Sequence, residues 1–373
     1  MALSIKESLQ RGPATSKEIQ ALTGLNQTAV ARQLKSMGNR IVTLRQGRAP
    51  RYAFTCNAFG GSDKLPLVAL DAGGHAALIA HIRPLAHGGF YVQQVPGLSQ
   101  ALSQLLLGEG GNGYYDDLPY FLIDLAPQGF LGRQVAAEMA RRSEDFPPDP
   151  RYWSANHIGR YLISNGDDLP GNFKFGPQAL LRVLRKPTAI ARENYAELAQ
   201  SVMNGAIPGS SAGGEQPKFT AFCSNISSQV IVKFSPKGDS DVARRWRDVL
   251  ITEFHAAQAI NQFAAEQLVI KKPSCCAAET TLIELDGRLF LESRRFDRSG
   301  ENGRLPMVSL QSVDAEFTGS GNDWLSVVNG LYKKKLVGVQ VVNDTGFLSC
   351  FGHLINNTDM HLGNLSLGVD EEI

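Results

Sequence analysis

The sequence predicts an α+β protein in which a small helical head closed by a β-hairpin precedes a larger mixed body. Three observations carry this. Apolar residues in the first forty positions recur at helical spacing and then switch to alternation, as a helix cluster followed by a hairpin requires. Farther on, short apolar strands alternate with helical patterns and turn clusters. Finally, the overall charge of +1 conceals nine Lys/Arg against two acids in residues 1–55, a net of +7 over a mildly acidic remainder.

The composition sets wider bounds. With 373 residues, 43% apolar and 20% charged, the chain has the makeup of a globular protein of two or three domains. Its longest apolar runs, such as 229–234 and 280–285, fall far short of the roughly 18 to 20 residues a membrane span needs, and the N-terminus lacks a signal-peptide core. These features predict a cytoplasmic protein with no membrane partner. Five scattered cysteines, two of them vicinal, argue against a disulfide framework, and no CxxC or HExxH spacing suggests zinc. His75, His81, His87 and His157 show no ligand spacing either.

In the head, residues 4–10 read as a short helix. Thr15 or Ser16 caps a second, whose Ile19 and Leu22 face one side before Gly24 ends it. Residues 26–37 form a third, opened by a capping residue, with Val30, Leu34 and Met37 at i, i+4 and i+7. Thr23, Gly24 and Leu25 between them make the short turn of a helix-turn-helix. The outward face of the third helix offers Asn26, Gln27, Thr28, Arg32, Gln33 and Lys35, residue types that read base edges and phosphates. After Gly38 the period becomes two: Ile41, Thr43 and Arg45, a turn at 46–48, then residues 50–54. This hairpin is a wing whose Arg45, Arg48 and Arg51 suit phosphate contacts. Residues 1–55 are thus expected to be a winged helix-turn-helix that binds DNA; a winged helix that pairs two copies into a homodimer is the other reading.

Residues 56–65, rich in Gly, Ser and Asn, read as a linker. A second unit, 65–165, begins with β-rich runs around a turn at 71–75 and continues with helices near 98–107 and 131–142 and an apolar periodicity at 153–163. The third, 166–373, opens on the turn cluster 166–171 and a short run at 173–175.

Three signals in this last unit fit one phosphoryl-transfer site. The loop 208–219 is rich in small residues: Gly213 and Gly214 let backbone amides approach an anion, and Ser210 and Ser211 are potential phosphate ligands or acceptors. The apolar strand 229–234 holds one lysine, Lys233, which needs an anion unless it snorkels to solvent. The helix 245–262 supplies Glu253 as its partner, with Val249, Leu250, Phe254 and Ala257 as the apolar face. After an apolar helix at 347–355, Asp359 and Asn364 stand in the D-x-x-x-x-N interval that sets a carboxylate on a substrate hydroxyl and an amide oxygen on magnesium.

The runs 210–218 (SSAGGEQPK), 232–234 (VKF), 294–298 (RRFDR) and 357–364 (NTDMHLGN) resemble the HipA family of bacterial toxin kinases, from about residue 168 to the C-terminus. The resemblance implies a two-lobed, protein-kinase-like fold, with residues 65–125 as the family's small N-terminal subdomain. It implies ATP and Mg2+ as cofactors, Lys233 and Glu253 at the phosphates, Asp359 as the catalytic aspartate and Asn364 on the metal. Gly213, Gly214, Phe296 and His361 fall at nucleotide-binding positions, with 294–298 as the hinge against which adenine rests, and Ser210 or Ser211 becomes the site of inhibitory autophosphorylation. Glu292, Arg295 and Asp297 also read as an ordinary strand-end salt network. The implied activity is transfer of the γ-phosphate to a protein serine or threonine, in this family usually on an aminoacyl-tRNA synthetase, causing growth arrest and persistence. An antitoxin commonly restrains such toxins.

One departure from that pattern bears on activity. The second metal-binding aspartate expected in a kinase lies well over a dozen residues beyond the Asn364 position, whereas the sequence stops at Ile373. Much of the C-terminal lobe is therefore expected to be missing and magnesium-ATP binding weakened. Two alternatives follow: a DNA-binding transcriptional regulator with a degenerate kinase-like body, or a DNA-acting toxin that reuses the Asp359 and Asn364 region for metal-assisted hydrolysis.

Overall fold

Local capping rules build the head. Ser4 and Thr15 open the helices Ile5–Gln10 and Ser16–Thr23, and each forms a reciprocal box with Glu7 or Glu18 three residues on. The backbone N–H groups of Ser4 and Thr15 hold both carboxyls below the usual range. Gly24 ends the second helix at φ 70°, a conformation that favours glycine. Asn26 caps the third, Gln27–Ser36, by accepting from the N–H of Ala29 at 2.9 Å. Strands Ala14–Thr15, Arg51–Phe54 and Ile41–Leu44 form an antiparallel sheet in that order, and Ile5, Leu9, Ile19, Val30, Leu34 and Phe54 close the core between helices and sheet.

This computed structural model describes residues 2–44, 49–183, 185–204, 216–266 and 275–369, and it shows a mixed α+β architecture. The segment 56–65 is a packed connection rather than a free linker. Thr55 bridges to Leu85 of the next unit, and Phe59, 7% exposed, stacks on Phe90 at 5.7 Å. Buried Arg83 donates to the carbonyls of Asn39 (2.6 Å) and Asp63 (2.7 Å) and pairs with the Asp63 carboxylate (3.0 Å). Gly and Ser supply permissive backbone there, but one aromatic side chain and one buried guanidinium decide the packing.

The middle unit is built on a five-stranded antiparallel sheet in the order Tyr114–Tyr115, Phe90–Gln94, Ala76–Pro84, Leu65–Leu70, Phe173–Phe175. Because Phe173–Phe175 pairs with Leu65–Leu70, the boundary expected at residue 165 falls inside this unit. Its core, which includes Leu67, Ile82, Phe121, Trp153 and Leu162, runs without a break into Val308, Leu310, Trp324 and Val328 from the far end of the chain.

A second five-stranded sheet has the order Thr280–Leu285, Arg288–Arg294, Ser228–Phe234, Lys218–Cys223, Ala189–Ile190, antiparallel except for the last pair. One face buries Val230, Val232, Phe234 and Phe290 against Tyr195, Ala199 and Val202 of the helix Tyr195–Met203. On the other face Leu289 and Leu291 meet Leu250 and Phe254 of the long helix Asp241–Glu266. Val249, expected on that apolar face, is 43% exposed: it lies one residue, or about 100° of helix rotation, from Leu250. Among the described residues no helix is long and apolar enough to cross a membrane.

Candidate functional site

Alternation along Ser228–Phe234 turns Lys233 to the face opposite Val232 and Phe234. The long helix crosses that face, and Lys233 Nζ lies 2.5 Å from Glu253 Oε1, with side chains 24% and 37% exposed. At that exposure the pair contributes little to stability. Its consequence is positional: it fixes an ammonium on a sheet surface. Lys218 stands directly opposite Lys233 in the strand register, so two amino groups share one stretch of sheet. Sequence reasoning misses Lys218, although its place in the GEQPK run, close behind a loop rich in glycine, is a usable signal.

The strand Arg288–Arg294 leads into a turn whose charged residues are buried. Arg295 and Asp297 are 4% and 5% exposed, whereas Phe296 between them is 62% exposed. The Arg295 N–H donates to the carbonyl of Gln229 at 2.9 Å, which registers the turn on the strand that carries Lys233. Asp297 pairs with Arg295 (2.9 Å) and Arg298 (2.5 Å). Burial by itself would raise the Asp297 carboxyl, but Arg295, the Gly171 N–H and Arg304 together outweigh it and hold the group below the usual range. Glu292, read with these residues as one salt network, belongs to another pair: it accepts from Arg192 at 2.6 Å and from the Tyr195 hydroxyl at 2.6 Å.

The third element is the loop between the helix Val339–Leu354 and the strand Ser366–Gly368, which pairs with Met307–Ser309. Asn364 donates through Nδ2 to the Asp359 carbonyl at 2.6 Å, and the Asp359 N–H donates to Asn357 Oδ1 at 3.0 Å. His361 lies within reach, its Nε2 3.6 Å from Asp359 Oδ1, and Trp324 anchors the loop by donating to the His361 carbonyl at 3.0 Å. The Asp359 carboxylate remains 76% exposed. Asp359, His361 and Asn364 thus stand together, as do Lys233 and Glu253; among the described residues no hydrogen bond or ion pair joins the two sets. Asp359 and Asn364 offer oxygen donors, the type a hard divalent cation takes alongside phosphate oxygens. Ser210, Ser211, Gly213 and Gly214 lie outside the described residues.

In the head, Gln27, Thr28, Arg32 and Lys35 are exposed on one helix. Two expectations change. Asn26 commits Oδ1 to its helix cap, which removes that atom from base reading. Arg51 also has a structural partner set: it donates to the Pro13 carbonyl at 2.5 and 3.1 Å and sits 3.5 Å from Glu18, so it staples strand to helix while its side chain stays 36% exposed. Arg45 and Arg48 lie outside the described residues. All five cysteines are free, Cys223 being buried.

Comparison with known proteins adds to this geometry. Residues 61–184 match the middle domain of YjjJ-like toxins, and residues 210–372 match the HipA-like C-terminal domain. Over 98% of its length the chain is 33% identical to Toxin YjjJ of Escherichia coli (strain K12), covering 79% of that protein.

Proposed function

The chain belongs to the HipA-like toxins of the YjjJ kind, and from that premise we propose that it is an ATP-dependent serine/threonine protein kinase fused to a DNA-binding head. The observation that carries the kinase reading is the Lys233–Glu253 pair, 2.5 Å across a strand and its crossing helix, in a chain that also holds Asp359 and Asn364 in one loop. A lysine so fixed suits the α- and β-phosphates of ATP, and the exposed Asp359 carboxylate suits the proton of an incoming hydroxyl. Magnesium, when bound, would neutralise phosphate charge, and Asn364 is the residue to hold it. Phe296 offers an apolar face to adenine. The acceptor is a protein serine or threonine, on an aminoacyl-tRNA synthetase by analogy with the family, and Ser210 and Ser211 are acceptors within the chain itself.

The head reads as a winged helix. Its exposed Gln27, Thr28, Arg32 and Lys35 face the major groove in this reading, and DNA is the polyanion partner. An antitoxin is a further partner that a toxin of this kind calls for. The test is incubation of the full chain with γ-labelled ATP and magnesium, with mass spectrometry of the peptide containing Ser210 and Ser211. Label is expected in wild type and absent from Lys233→Ala and Asp359→Ala; equal labelling in all three would end the kinase reading. Unlabelled wild type that retains DNA binding would favour the regulator reading.

A further inference from the structure

The turn that exposes Phe296 is held by a carboxylate from a different part of the chain. Asp168 Oδ1 lies 2.8 Å from Arg295 Nη1 and 3.0 Å from Arg298 Nη2, and Asp168 Oδ2 accepts from the Thr220 hydroxyl at 2.9 Å. Arg304 is 3.8 Å from the same Oδ1. The Arg295, Arg298 and Arg304 side chains are buried, so their charges need carboxylates, and Asp297 alone cannot satisfy all three.

We propose that Asp168 is a positioning residue for the adenine nucleotide: through Arg295 and Arg298 it fixes the turn that presents Phe296. This rests on the nucleotide reading above. The two charged residues flanking Phe296 can both point inward only while their pocket is balanced, and that inward pull leaves Phe296 pointing out. The turn carrying Asp168 is itself pinned: Lys174 Nζ donates to the Gly166 and Asp167 carbonyls at 3.0 and 2.8 Å, and the Gly171 N–H donates to Asp297 Oδ2 at 2.9 Å. The match to YjjJ-like toxin middle domains, residues 61–184, includes Asp168, whereas the HipA-like match begins at residue 210. A residue of the middle unit therefore sets the shape of the adenine end of the site. The phosphate end is held separately, by Glu253 on Lys233.

Removing the Asp168 charge leaves three buried arginines facing Asp297, and their repulsion opens the turn. The test uses the full chain with magnesium and three probes: ATP, ADP and inorganic tripolyphosphate, which lacks adenine. In Asp168→Asn, ATP and ADP affinities should each fall about tenfold, the coupling expected of one buried charge pair, while tripolyphosphate affinity stays unchanged. The kcat at saturating ATP should stay within about twofold, because chemistry lies at the other end of the site. Asp168→Glu should recover most of the loss.

A purely structural knot would lower Tm yet leave ATP affinity intact, and that result overturns the proposal; so does equal loss of ATP and tripolyphosphate. Where Asp168→Asn does not fold, Thr220→Val removes one hydrogen bond from Asp168 without touching its charge, and should weaken ATP about threefold; unchanged affinity overturns the proposal there too. Lys233→Ala separates the two ideas. If it weakens ATP and tripolyphosphate alike while Asp168→Asn changes nothing, only the positioning role fails. If wild type binds no ATP, or Lys233→Ala binds it like wild type, the nucleotide reading fails and takes this one with it.

Discussion

Lys174 is one of the largest fully buried side chains, and replacing it with methionine should change how stability depends on pH. Its ammonium, 1% exposed, donates to the carbonyls of Gly166 and Asp167. Burial first, and then the nearby Arg304, bring it down to about 7 from the ordinary lysine value of 10.5, against the opposing pull of Asp168 and Asp167. The folded state therefore releases this proton at lower pH than the unfolded chain does. Between these two values the unfolded chain holds a proton that the folded one lacks, so stability rises with pH, at about 1.4 kcal/mol per unit. From pH 7.5 to 9 the gain is about 2 kcal/mol; below pH 7 the ammonium is charged in both states and the gain is absent. Urea unfolding read by the emission of Trp153 and Trp324, both in the main core, measures it. Lys174→Met lacks the titrating group while matching its shape, so its stability should rise less over the same interval by that amount. Other groups, including the thiols of Cys56 and Cys275 that burial pushes up, titrate in both proteins and cancel in the difference. Parallel pH profiles for wild type and Lys174→Met would refute the reasoning.

Two further outcomes test the packing and the head. A β-carbon at Gly159 would lie 2.4 Å from the Phe59 ring, so Gly159→Val should force that ring off Phe90 and cost about 1 to 3 kcal/mol, seen as a lower thermal midpoint; an unchanged midpoint would mean that residues 56–65 pack loosely after all. If the head binds DNA as proposed, with Arg32 and Lys35 each neutralising one phosphate, Arg32→Ala with Lys35→Ala should weaken that binding and reduce the slope of log K against log salt by about two. Arg51→Ala should leave that slope unchanged while lowering the melting point of the head, and the reverse result would place Arg51 on the DNA.

Much of the local structure was legible in the sequence because it depends on short-range rules. The caps at Ser4, Thr15 and Asn26, the left-handed Gly24 and the strand carrying Lys233 all follow from neighbours a few residues apart. Motif order pointed to a phosphoryl-transfer site, and the runs 210–218, 232–234, 294–298 and 357–364 carried the resemblance to the HipA family.

The departures from expectation share one physical cause. Composition marked residues 56–65 as a linker, yet the Phe59 and Arg83 contacts that pack them come from strands with which they share no local pattern. The sequence records the charge of Arg51 but not that the Pro13 carbonyl and Glu18 engage it. Asp168 offered no sign of its role, since Arg295 is 127 residues away and a carboxylate's environment is set by what folding places around it. By itself the sequence determined the elements, the charge asymmetry and the identity of the chemical groups. Only the tertiary structure decided which charges are buried, which are paired and which stay free to meet a ligand, because desolvation and ion pairing act through space and are indifferent to distance along the chain.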